Sequence, residues 1–152
     1  MTQTTTEAQR ELLDSVAEAT DHLGMAVASL GAAFEQLDEA HGAAVEDKLF
    51  RPVQLAYGRA RRTHAKFAER NELPQRKFDA PSPGLASIGA RTFIDNASVE
   101  VGQAENALTT LQDSMLPVEV GDPELRASLA EVRELIGDYS RNVRGVTGSL
   151  GR

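Results

Sequence analysis

Residues 12–37 read Leu12-Leu13-Asp14-Ser15-Val16-Ala17-Glu18-Ala19-Thr20-Asp21-His22-Leu23-Gly24-Met25-Ala26-Val27-Ala28-Ser29-Leu30-Gly31-Ala32-Ala33-Phe34-Glu35-Gln36-Leu37. Apolar residues fall alternately four and three apart, at Leu12, Val16, Ala19, Leu23, Ala26, Leu30, Ala33 and Leu37. Two helical turns take about seven residues, so this spacing lays one continuous apolar seam along an α-helix. Thr4 with Glu7, or Thr6 with Gln9, has the capping-box spacing that starts such a helix. His41-Gly42 supplies the glycine expected after a last turn. The first helix is therefore expected over about residues 6–40.

The same rule recurs downstream. Ala90, Ile94, Ala97, Val101, Ala104, Leu108, Leu111 and Met115 form a second seam. Leu125, Leu129, Val132, Ile136, Tyr139, Val143 and Val146 form another, which Leu150 would extend. Ser82-Pro83 and Asp122-Pro123 each pair a capping side chain with proline at the first helical position, where a missing N–H costs nothing. Helices are expected over 83–115 and 123–147. Leu49, Val53, Ala56, Ala60, Thr63 and Phe67 give a further seam, with Pro52 inside it. Proline removes the bond to the carbonyl of Lys48, so the helix over 43–72 is expected to kink near Pro52.

The chain thus reads as one all-α domain spanning 1–152: four long antiparallel helices with coiled-coil-like heptad seams. Short links at His41-Gly42 and at Pro117 to Gly121 favour an up-down-up-down bundle. A crossover in the proline-rich loop from Leu73 to Pro81 is the alternative. One seam position in the first and third helices is mostly alanine, which brings backbones close.

Composition restricts function more than it names it. The 152 residues contain no Cys, which excludes disulfides, thiol catalysis and Cys-ligated metals. The net charge of −7 repels free nucleic acid and anionic membranes on average. The polar first residues hold no signal-peptide pattern, and no uncharged stretch reaches the roughly 20 residues of a membrane span. A cytoplasmic location and no membrane association are expected.

Charge is unevenly placed. Residues 1–47 carry ten acids against Arg10, a local −9; Lys48 to Lys77 carries nine basic residues against Glu69 and Glu72, a local +7. Arg59, Arg61, Arg62 and Lys66 are the candidate anion-binding group, since arginine forks suit phosphate. Tyr57 and Phe67 are the only rings on that helix, too few for a platform that stacks bases. The plainer reading is that the basic helix packs beside the acidic one; an acidic protein surface is a further candidate partner.

The middle of the first helix is uncharged on every side, with Gly24, Met25, Ala28, Gly31 and Ala32 opposite Leu23 and Leu30. A helix that is apolar all round is usually buried all round. These five residues are expected to form a homodimer contact, with the outer side of the third helix as the next candidate. His22, His41 and His64 are the metal-ligand candidates, but no Glu-x-x-His and no ligand spacing accompanies them. No nucleophile elbow, dinucleotide or phosphate-loop motif is present, and no cofactor is implied. The expectation is a non-enzymatic, self-associating helical bundle acting through protein contacts. Binding of a phosphate ligand or nucleic acid through the arginines, and a metalloprotein or enzyme using the histidines, are the alternatives.

Overall fold

The computed structural model describes residues 4–150, and all regular structure among them is helical. Helix α1 (Thr5–Glu35) starts where the sequence places it: the Thr4 side chain accepts a hydrogen bond from the Glu7 N–H at 3.1 Å. Its seam from Leu12 through Ala33 is buried throughout. It stops earlier than expected, because Asp38 rather than His41-Gly42 governs the link. The Asp38 carboxylate accepts from the His41 N–H at 2.8 Å and so begins helix α2 (Glu39–Val45), which leaves Gly42 buried inside a helix and Leu37 outside one.

Pro52 does not interrupt the chain. A π-helical turn (Glu46–Phe50) leads into helix α3 (Arg51–Arg70), and Arg51 donates to the Glu46 carbonyl five residues back. The wider turn lets proline enter without clashing against the preceding turn. The carbonyl of Lys48, which proline cannot serve, accepts instead from Asn142 Nδ2 at 3.4 Å.

The third expected helix begins later than 83. Ser82-Pro83 lies in an extended loop; Gly84 and Gly89 take positive φ values of 106° and 88°, and a 3-10 turn (Ala86–Ile88) separates them. Helix α4 (Ala90–Asp113) then runs to Met115, whose φ of 67° is left-handed and ends the seam, so that this methionine is 49% exposed. A short helix α5 (Leu116–Glu119) fills part of the following link. Asp122 caps helix α6 (Pro123–Ile136) by accepting from Leu125 N–H at 2.8 Å, as the sequence implies. The expected 123–147 helix is divided at Gly137-Asp138, with helix α7 (Tyr139–Leu150) beyond it.

Cross-helix bonds fix the directions. Along α1, Gln9 meets Asn71 and Gly24 meets Tyr57, so α3 runs antiparallel to α1. Gln36 bonds the Ala86 carbonyl, His22 meets Glu100 and Gln9 reaches the Val120 carbonyl, so α4 is antiparallel to α1 as well. Hence α3 and α4 run parallel. Arg59 with Glu131, and Arg70 with Asp122, set α6 antiparallel to α3. The order is up-down-down-up rather than up-down-up-down. The segment 71–89 makes the difference, because it travels back along α1 as a strap, tied at Asp21 by Arg76 and at Gln36 by Ala86.

One core cluster runs through all these elements except the 3-10 turn, from Ala8 to Val146. Helix α1 packs most extensively on α4 and then on α3, and α3 packs on α6. Contact between α4 and α6 is sparse by comparison.

Candidate functional site

Of the five residues expected to pair two copies, Gly24 is buried and Met25, Ala28, Gly31 and Ala32 are half-buried. A Cβ on Gly24 would lie 2.9 Å from the Tyr57 ring, and one on Gly31 would lie 3.7 Å from Phe50. Gly24 therefore receives an aromatic ring from α3 and Gly31 one from the π-helical turn before it. Met25, Ala28 and Ala32 are half-buried and share the helical face of Asp21 and Gln36, the two residues bonded to the strap. The all-round apolarity of α1 follows from its central place between α3, α4 and the strap.

The three histidines stand apart. His22 Nδ1 lies 2.8 Å from Glu100, and His41 Nδ1 lies 2.8 Å from Asp38, whose carboxyl is held below its ordinary range by the His41 backbone N–H first and by the ring second. His64 is buried, edge-on to Phe78 of the strap with ring centroids 5.3 Å apart, and its Nδ1 has no hydrogen-bond partner. Among the described residues no group of three His, Asp or Glu side chains is placed to hold a metal.

Burial, reinforced by the nearby Arg76, lowers the His64 pKa from its ordinary 6.5, against a weaker opposing pull from Asp14. The unfolded chain therefore binds a proton that the folded chain resists, and stability rises with pH through that region. Acidifying from neutral to below the ordinary histidine range is expected to lower the urea midpoint, and His64→Phe should remove that part of the dependence. An unchanged slope in His64→Phe would place the effect elsewhere.

The basic residues split by helical phase. Arg59, Arg62 and Lys66 share one face of α3 and line a small cleft against α6 with Thr63, Arg70, Glu124, Leu125 and Ser128. Arg61 points elsewhere, with its guanidinium 4.5 Å from the centre of the Tyr57 ring. The expected group of four is thus a group of three joined by Arg70. Ser128, which the sequence did not single out, supplies a hydroxyl from the opposite wall.

A further feature has no counterpart in the sequence pattern. Where α4 and α6 stand apart, a groove of about 620 Å³ opens. Leu108, Leu111, Pro117 and Leu129, all buried residues, form its apolar lining, and Val118 at its mouth is 60% exposed. Arg126 donates to the Pro117 carbonyl at 3.0 Å, and Arg133 bonds Gln112 and Thr109 across the gap. Neither arginine has a carboxylate within ion-pair distance among the described residues. Since α4 and α6 run in opposite senses, the charges follow one another along the groove: Arg126 beside α5, then Arg133 and Glu134 at nearly the same height, then Glu105 toward the far end. The adjoining face of α4 is uncharged and open, with Val99 59% exposed and nothing within 4 Å of a Cβ built on Gly102.

No helix among the described residues is long and apolar enough to cross a membrane. No family model, curated protein or solved structure matches the chain.

Proposed function

We propose that the protein is a non-enzymatic helical bundle that self-associates and acts through protein contacts, with the groove between α4 and α6 as its working surface. The observation that carries this reading is an apolar groove with the cation Arg126 at one end and the carboxylate of Glu105 toward the other. A twofold axis across the groove sets the Arg126 end of one copy against Glu134 and Glu105 of the other. Such an interface is self-complementary, as closed dimers require. Apolar floors would meet at its centre and the ion pairs would lie toward its rim, the ordinary arrangement of protein interfaces. The uncharged outer face of α4, with Val99, Gly102, Gln103 and Asn106, extends the contact.

Two single substitutions separate this surface from the one on α1. Val118→Glu places a charge at the groove mouth and is expected to shift the protein to monomer in analytical ultracentrifugation. Ala28→Glu, on the strap-side face of α1, is expected to leave the sedimentation of the dimer unchanged. The reverse pattern would return the interface to α1.

A further inference from the structure

Of the nine basic residues between Lys48 and Lys77, the fold gives most a partner. Lys48 and Arg51 approach Asp47, Arg59 pairs with Glu131 at 2.8 Å, Arg70 with Asp122 and Glu124, and Arg76 with Asp21. Arg61 rests on Tyr57. Arg62 and Lys66 have no carboxylate partner among the described residues, although they stand one turn apart on the same face. Like charges four residues apart on a helix repel each other, so a counter-charge is expected between them.

The space between them is bounded. The cleft of about 50 Å³ is floored by Thr63 and Leu125 and closed on the α6 side by Ser128 and Glu124. Thr63 spends its proton on the Arg59 carbonyl at 2.8 Å, so its oxygen is fixed in place. At both ends of the cleft an arginine is anchored by carboxylates of the opposite wall, Arg59 by Glu131 and Arg70 by Asp122 and Glu124. These pairs hold α3 and α6 at a set distance, while Lys66 and Arg62, whose guanidinium lies over Gly58, keep no carboxylate partner among the described residues and can turn to a ligand.

We infer that the α3–α6 cleft binds a single phosphate-sized oxyanion, held by the Arg62 guanidinium, the Lys66 ammonium and the Ser128 hydroxyl. A guanidinium presents two parallel donors to such an anion and an ammonium presents a point charge, the two modes common in phosphate recognition. The size fits. The cleft offers the room of one or two waters at about 30 Å³ each, enough for a tetrahedral oxyanion and too little for a nucleoside. No aromatic side chain lines it, so it offers no surface on which a base could stack. The ligand is therefore inorganic phosphate or the phosphate of a small phosphomonoester. This inference stands apart from the self-association surface, which uses the other side of α6.

Titration calorimetry of the full chain with inorganic phosphate, at constant ionic strength, tests the site. Saturable one-to-one binding is expected, with sulfate competing and chloride not. Arg62→Gln and Lys66→Gln should each weaken binding about tenfold, the usual effect of removing one charged donor, and the double variant should show none. Arg61→Gln should bind as the native chain does. Should the double variant lose its circular dichroism, Ser128→Trp provides the second test, since a ring that fills the cleft should exclude phosphate from a folded protein. A small phosphomonoester binding more tightly than inorganic phosphate would identify an esterified ligand at the same site. Absence of saturable heat with both, or undiminished binding in the folded double variant, would overturn the inference. Tight binding of a short single-stranded oligonucleotide that grows with its length would overturn it in favour of nucleic acid.

Discussion

Replacing Leu30 by alanine is expected to lower the free energy of unfolding by about 2–5 kcal/mol, the range for large-to-small core changes. Leu30 has no exposed surface, and it sits on the helix that contacts both α3 and α4. Its seam neighbours Ala26 and Ala33 are also without exposure, and alanine has no side-chain torsion with which to fill a void. The cavity left by the missing isobutyl group therefore collapses poorly, and the cost of an unfilled cavity adds to the lost burial. Urea denaturation reads the change as a lower midpoint with an unchanged slope. A loss under about 1 kcal/mol, the size typical of surface or volume-conserving changes, would mean that α1 is not the central helix.

The second large effect concerns the groove. In a twofold dimer every cross-interface pair occurs twice, so a single substitution acts at two places. Arg126→Glu turns two attractive contacts into repulsive ones against Glu134 of the other copy. With close interfacial charge pairs coupling by about 1.5 kcal/mol or more, the dissociation constant should rise roughly 100-fold. Glu134→Arg alone should do the same by setting arginine against arginine. The two substitutions together restore opposite charges, and the double variant should dimerise more tightly than either single one. A double variant weaker than both would show that Arg126 and Glu134 do not face each other across a twofold axis.

Much of this architecture is legible in the sequence, and the exceptions have physical reasons. The seams at Leu12 to Ala33 and Ile94 to Leu111 are buried because a seven-residue apolar repeat has no other stable place. Thr4 and Asp122 begin their helices because each offers an oxygen to an N–H three residues on. Helix directions are harder to read. They depend on whether a loop turns back at once or crosses the molecule, and Ser82-Pro83 resembles a helix start strongly enough to hide the upper half of the strap. Gly84 and Gly89, both at positive φ, were the signal that the loop continues. The break at Gly137-Asp138 and the left-handed Met115 had no comparable signature.

The surface features divide in the same way. Helical phase alone separates Arg61 from Arg59, Arg62 and Lys66, so that part of the cleft could be read from spacing. Ser128 could not, because it arrives from a helix more than sixty residues away. The uncharged middle of α1 is buried at Gly24 and half-buried at Met25, Ala28, Gly31 and Ala32, and the rings beside its glycines, Tyr57 and Phe50, belong to the same chain. The groove between α4 and α6 was invisible because it is a distance between helices, and the spacing of apolar residues along one helix carries no information about how far its neighbour stands.

Light scattering of the native protein at tens of micromolar tests the self-association most directly. Two copies in contact through the groove have a mass of twice 16.4 kDa, and that is the expected value. A particle of 16.4 kDa that persists as concentration rises would contradict the account.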